Sequence, residues 1–150
     1  MRGKALTPFL LGAIARTTAS RSLAANRALV LNNGRVRVYK STIDGTTAAG
    51  VRVANANAII ESSTFRNIGT SGVSITGGPI VSGTLPAPGT STVQVVDSLI
   101  EAFVGIQGSA PNAGDQIYLT ANQNRLISSA GGNGIKLLCI MNGISNGPVQ

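Results

Sequence analysis

Apolar residues recur along this chain in short alternating runs that are separated by turns rich in Gly, Asn and Ser. Residues 36–38 (Val-Arg-Val) alternate apolar and polar side chains, and residues 32–34 (Asn-Asn-Gly) before them form a strong turn signal. Runs of this kind predict β-strands whose apolar side chains point inward and whose polar neighbours point outward. Residues 28–140 therefore read as successive short strands joined by corners.

The strands belong to a block that recurs at an interval of 22 residues. Residues 41–43 (Ser-Thr-Ile) return as 63–65 (Ser-Thr-Phe), and residues 50–53 (Gly-Val-Arg-Val) return as 72–75 (Gly-Val-Ser-Ile). The block reappears with altered spacing further along the chain. A unit of this length cannot bury its own apolar face, so stacked units share a continuous core.

Superimposing the blocks predicts three inward ladders of apolar residues. They are Val38, Ile60 and Val95; Ile43, Phe65, Ile100 and Ile127; and Val51, Val73, Ile106 and Ile135. The same superposition places Asp44, Arg66 and Glu101 in one outward column, and Lys40, Ser62, Asp97 and Asn124 in another.

The repeated block and its coil length resemble the right-handed parallel β-helix family, which includes pectate-lyase-like proteins and phage tailspikes. The resemblance covers residues 28–140, about four coils of the repeat. It implies an all-β fold, a short right-handed parallel β-helix whose coils stack at the strand spacing of about 4.8 Å. Because one fold hosts many functions, it implies architecture far more than activity.

Two departures from the repeat divide the chain. The interval from Phe65 to Ile100 is 35 residues, which predicts a loop insertion at residues 77–92, and a smaller excess lies near residues 109–115. Loops on a solenoid often carry recognition, so Pro79, Leu85 and Pro86 are candidate surface residues. The C-terminal segment 140–148 has no charge and is a poor cap, which predicts contact with another subunit.

Residues 1–27 are predicted to form a basic and partly helical N-terminal arm, which precedes the β-helix domain of residues 28–150. The first 43 residues carry eight basic residues and no acid. The residues predicted to dock this arm on a partner are Arg2, Lys4, Phe9, Leu10, Ile14, Arg16, Arg21 and Arg27. The alternative is a secretory signal, because residues 5–15 are mostly apolar and end in Ala-Ile-Ala. The presence of Met1 in the sequence favours the docking arm over a cleaved signal.

Few catalytic arrangements are compatible with this composition. The chain has no His, which excludes a Ser-His-Asp or Cys-His arrangement, and its one Cys cannot build an ordinary zinc site. No Gly-rich stretch continues into the Lys-Ser/Thr of a phosphate-binding loop. The column of Asp44, Arg66 and Glu101 favours charge pairing on the surface over a pair of catalytic carboxylates. We therefore expect no enzyme activity, no catalytic residues, no metal site and no cofactor.

Binding surfaces are also restricted. Only 3% of the residues are aromatic, and Tyr39 and Tyr118 are the plausible platforms for a polysaccharide. The basic residues are not interleaved with aromatics, which disfavours nucleic acid. The apolar run near the N-terminus is too short to span a bilayer.

These features predict a structural or adhesive β-helix subunit, which its basic arm docks into a larger assembly such as a phage or virion-type particle. Its partners are then other protein subunits, including copies of itself, with possible glycan contact. Its location is a virion or an extracellular particle. The alternative is a secreted or cell-surface β-helix protein that binds or cleaves polysaccharide.

Overall fold

The computed structural model describes residues 15–17, 27–79 and 88–139 of the chain. Within these ranges the protein is all-β, a parallel β-solenoid of about four turns. The strands are β1 (Ala15–Thr17), β2 (Leu29–Asn32), β3 (Arg35–Tyr39), β4 (Thr42–Thr46), β5 (Ala49–Ala54), β6 (Asn57–Glu61), β7 (Thr64–Thr76), β8 (Thr90–Val96), β9 (Leu99–Ala110), β10 (Gln116–Asn122) and β11 (Arg125–Cys139). The fold class expected from the sequence is confirmed.

The strands form two parallel sheets that run the length of the solenoid. One sheet has the order β1-β3-β6-β8-β10, and the other has the order β11-β9-β7-β5-β2, with β4 also pairing with β7. Strands β7, β9 and β11 are long because each passes through two sides of a coil, as β4 and β5 do separately in the first full coil. Equivalent strands of successive coils thus pair with one another, which is how the repeat becomes a stack.

The spacing between equivalent residues of successive coils changes where the sequence predicts insertions into the repeat. Successive corner serines, and the Asn that replaces the last of them, are 22, 35 and 26 residues apart. The long interval falls between the end of β7 at Thr76 and the start of β8 at Thr90. Residues 90–92 of the predicted insertion thus belong to a strand, and the extra length lies before them.

The core includes the predicted inward ladders together with further buried positions such as Val53 and Ile75. Val38, Ile60 and Val95 are in register, as are Val51, Val73, Ile106 and Ile135, so these two ladders are confirmed. In the third ladder Ile43, Phe65 and Ile100 are in register, but the next member is Leu126 and not Ile127. Ile127 lies opposite Glu101 on the outward side. The prediction for the fourth coil was therefore wrong by one residue.

The same slip affects the second outward column. Lys40, Ser62, Asp97 and Gln123 all adopt positive φ, between 46° and 54°, and mark one corner of successive coils. Gln123, and not the predicted Asn124, is therefore the equivalent of Asp97. Ser62 donates a hydrogen bond to Asp97 at 3.1 Å across this corner.

The residues that follow this corner form a ladder of hydrogen bonds between successive coils. The backbone N–H of Ser41 donates to the Ser63 hydroxyl at 3.2 Å, and Ser63 N–H donates to the Ser98 hydroxyl at 3.2 Å. In the last coil the N–H of Ser98 donates to Oδ1 of Asn124 at 3.0 Å. Each serine hydroxyl also donates to the carbonyl two residues before it. Buried N–H groups at the corner are thereby paired.

Replacing Ser63 with alanine is expected to reduce the free energy of unfolding by about 1–2 kcal/mol, because the buried N–H of Ser41 loses its acceptor. Denaturant unfolding monitored by circular dichroism measures this loss. Ser74→Ala, on the outward side of β7, is the matched control and should change stability by less than about 0.5 kcal/mol. Equal effects of the two substitutions would show that the corner hydrogen bonds contribute little.

The N-terminal segment contributes to the solenoid where it is described. Ala15–Thr17 pairs in parallel with residues 36–38 of β3, so this part of the predicted arm extends a sheet. Leu29 begins strand β2, two residues after the predicted arm ends. Phe9, Leu10 and Ile14, which were predicted to dock the arm on a partner, lie outside the described residues.

Candidate functional site

The C-terminal end of the solenoid presents an apolar surface. Within the described part of the chain, β10 pairs only with β8 and β11 pairs only with β9, so both sheets end at the same coil. Ile135 occupies an inward ladder position, yet it is 47% exposed, whereas Ile106 directly below it is fully buried. The ladder continues into the last coil, and the described residues cover it from one side only.

The apolar residues of this coil form a continuous set that we call the terminal rung. Its members are Ile117, Leu119, Leu126, Ile135 and Leu137. Leu137 lies over Gly108, where a Cβ would approach Leu137 Cδ2 to 2.8 Å, and it remains 46% exposed. Ile127 and Leu138 add further exposed apolar surface beside the rung. An exposed apolar cluster of this kind marks an interaction site or an aggregation hazard.

Four of the five acidic side chains have structural partners. Asp44 is largely buried and accepts from Arg66 Nε at 3.0 Å and from Asn67 Nδ2 at 2.7 Å. Glu61 accepts from Arg37, and Asp97 accepts from Ser62. The predicted pairing of Asp44 with Arg66 is confirmed.

Glu101, the remaining member of that predicted column, does not join the pairing of Asp44 with Arg66. Glu101 is exposed, and a register irregularity after Phe65 separates its strand from Arg66. No ion pair joins Arg66 and Glu101 in the described ranges. Glu101 is therefore the one acidic side chain in the described ranges that is not assigned a structural partner.

Asp115 holds together the two loops that depart from the repeat. Its carboxylate accepts from the backbone N–H of Gly89 at 3.0 Å and from that of Asn112 at 3.0 Å. A Cβ at Gly114 would lie 3.1 Å from Pro88, so the smaller loop contacts the base of the larger one. Of the residues predicted for surface recognition here, Pro79 is half-buried, and Leu85 and Pro86 lie outside the described residues.

The two candidate aromatic residues lie on the same sheet but are not brought together. Tyr39 lies in β3 with Arg37 and Lys40 at 5.1 Å from its ring centroid, so cations occupy its surroundings. Tyr118 lies in β10, is 57% exposed and donates a hydrogen bond to Gln116. β6 and β8 separate their strands, so they do not form a paired platform for a sugar.

The predicted docking residues of the arm are only partly visible. Arg16 pairs by its backbone with Arg37 in the sheet, and Arg27 precedes β2 and is half-buried. Arg2, Lys4, Phe9, Leu10, Ile14 and Arg21 lie outside the described residues. Their part in docking stays a prediction.

Arg52 is a cationic residue of the solenoid that the sequence did not identify as a candidate binding residue. Arg52 points outward from β5, and its Nε is buried without a hydrogen-bond partner. Burial lowers the pKa of the Arg52 guanidinium, and the nearby charge of Arg27 lowers it further. By contrast, the hydrogen bond with Glu61 raises the pKa of Arg37. The alternation Val-Arg-Val predicts an outward Arg52, but its closeness to Arg27 follows only from the pairing of β2 with β5.

The described ranges also bear on metal binding and on membrane insertion. They contain no group of three or more His, Cys, Asp or Glu side chains that could hold a metal ion. No helix there is long and apolar enough to cross a membrane.

Comparisons of the chain with models of protein families, with curated proteins and with solved structures give no match. The strand pairing by itself therefore establishes the parallel β-solenoid.

Proposed function

We propose that this protein is a non-enzymatic structural subunit of a larger assembly, a virion-type particle, in which the C-terminal coil contacts another subunit. The observation that carries the proposal is the exposure of the terminal rung, in which Ile135 and Leu137 are 47% and 46% exposed although their ladders are buried elsewhere. The assignment to a particle also draws on the likeness of the coil repeat to tailspike solenoids.

The first partner in this proposal is a second copy of the chain. Two copies related by a two-fold axis bring the same edge strands together, so one apolar surface covers its own equivalent. Burying each half-exposed aliphatic side chain stabilises the contact by about 1 kcal/mol. The carboxylates support the structural role, since Asp44 pairs with Arg66 of the next coil and Asp115 holds a loop base.

Replacing Ile135 and Leu137 together with threonine is expected to convert the assembled protein to monomer at concentrations where the wild type is associated. Threonine is β-branched, which suits a strand at both positions, and it removes apolar surface from the rung. Size-exclusion chromatography with light scattering over a range of concentrations measures the change.

Ile59→Thr is the matched control, because Ile59 is 41% exposed on the outward side of β6, away from the rung. It should associate like the wild type. A wild-type chain that stays monomeric at all concentrations would refute the end contact, and so would a double variant that associates normally.

The alternative is a secreted or cell-surface protein that binds polysaccharide. Tyr118 favours it, because this exposed ring stands on a strand whose outward neighbours are polar. It ranks second, since Tyr39 is not positioned to extend that surface.

A further inference from the structure

The outward side of β2 and β5 carries positive charge without a counter-charge from its own chain. Arg52 lies between Val30 and Ser74 in an outward column, with Arg27 nearby. The segments that build this side of the solenoid are β2, β5, residues 71–76, residues 104–110 and residues 133–139, and they contain no Asp or Glu. We call this surface the β2–β5 face.

The chain has five acidic side chains, and none of them lies on the β2–β5 face. Asp44 and Glu101 belong to the side formed by β4 and the first half of β9, and Glu61 belongs to β6. Asp97 and Asp115 lie at corners. No Asp or Glu side chain is therefore placed to pair with Arg52, and an acidic partner molecule would supply the counter-charge.

The state of Arg52 points to a specific ligand more than to a solvated surface charge. A guanidinium in water keeps its donors hydrated, whereas Nε of Arg52 is shielded from solvent and has no acceptor. An unpaired buried donor costs roughly 1–3 kcal/mol, and a charged donor costs more. The two terminal nitrogens of the same guanidinium are not buried, so a carboxylate or phosphate can reach them and accept two parallel hydrogen bonds from the fork.

A peptide carboxylate fits this face better than a nucleic acid does. Binding to nucleic acid rests on many phosphate contacts and, for single strands, on aromatic stacking. The strand segments of the β2–β5 face contain no aromatic residue, and their outward positions near Arg52 are the uncharged Val30 and Ser74. From this charge complementarity we infer that the β2–β5 face binds an acidic segment of a partner protein, with Arg52 as the main donor and Arg27 as a second cation.

Fluorescence anisotropy of a labelled oligoglutamate peptide, titrated with the full chain at low salt, tests this inference. R52Q is expected to weaken binding about tenfold, as loss of a charge-assisted hydrogen bond predicts. R35Q is the matched control, because it removes the same charge from an exposed position on β3, and it should weaken binding less than about twofold. R52K keeps the charge but lacks the fork, so its affinity should lie between those of R52Q and the wild type.

Two outcomes would overturn the inference. Equal weakening by R52Q and R35Q would show that only diffuse positive charge attracts the peptide. Inorganic phosphate that displaces the peptide at far lower concentration than acetate would assign the site to a phosphate ligand. Thermal unfolding by circular dichroism confirms that R52Q folds. Because the inference uses residues outside the terminal rung, repeating the titration on the Ile135 and Leu137 double variant separates its failure from failure of the end contact.

Discussion

Replacing Phe65 with alanine is expected to lower the free energy of unfolding by about 4 kcal/mol, the cost of a large cavity in a closed core. Phe65 is fully buried in the ladder between Ile43 and Ile100. Its ring also fills the space over Gly50, where a Cβ would come within 2.7 Å of Phe65 Cδ1. Neighbouring coils are fixed by their own backbone hydrogen bonds, so they cannot collapse into the space. Denaturant titration of the purified chain measures the loss.

Phe103→Ala is the matched control, because Phe103 is the same residue type in the next coil but is 44% exposed. Its loss should cost about 1 kcal/mol or less. If Phe65→Ala were no more costly than Phe103→Ala, the ladder would not be the main source of stability, and the stacked core described above would be wrong.

The ladders were predictable because the sequence repeats them at a constant interval. Val51 and Val73 follow a glycine in both coils, and Ile106 and Ile135 do so despite altered spacing, so the local motif identifies them. The 22-residue spacing and the strand alternation together determine which side of each strand is buried. These two signals were sufficient for the fold class.

The register of the last coil was not predictable from apolar pattern alone. Leu126 and Ile127 are adjacent and both apolar, and likeness to Ile100 favoured the wrong one. The better signal was Asn124, whose side-chain oxygen replaces a serine hydroxyl at the corner and accepts from Ser98 N–H. A polar corner residue fixes register more firmly than an apolar pair, because a buried donor must find its acceptor.

The candidate surfaces were predictable only in part. The uncharged segment after β11 suggested an interface at the C-terminal end, and the exposed residues of the terminal rung lie in the preceding coil. Ile135 was correctly assigned to an inward ladder, but its exposure depends on what lies beyond the coil. The charge on the β2–β5 face escaped prediction because Arg27 and Arg52 are distant in sequence and are brought near one another by parallel pairing.

Two surfaces with different chemistry therefore lie on one rigid stack. The terminal rung is apolar and lies at the end of the solenoid, whereas Arg27 and Arg52 lie on its side near the first coils. Such a protein can contact an identical subunit along its axis and an acidic partner across it. Both proposed contacts depend on the stacking of coils, and a column of glycines allows neighbouring coils to approach closely.

Replacing Gly72 with alanine is expected to lower the free energy of unfolding by about 3 kcal/mol through overpacking. Gly72 belongs to a column with Gly50, Gly105 and Gly134, and each of these glycines precedes a member of the ladder formed by Val51, Val73, Ile106 and Ile135. A Cβ at residue 72 would overlap Ile100 Cγ2 and lie 2.7 Å from the carbonyl oxygen of Gly105. The backbone oxygen cannot move without breaking the sheet, so neighbouring coils must separate. Denaturant unfolding measures the loss.

Gly134→Ala is the matched control in the same column, because its nearest neighbour would be Leu126 Cδ1 at 3.7 Å, an ordinary contact. It should change stability by less than about 0.5 kcal/mol, since the last coil leaves that space open. In a double-mutant cycle, Ile100→Ala should recover part of the Gly72→Ala loss, because it removes the overlapping methyl group but leaves the Gly105 carbonyl in place. If Gly134→Ala proved as damaging as Gly72→Ala, the cost would come from glycine's backbone freedom and not from the close stacking of coils.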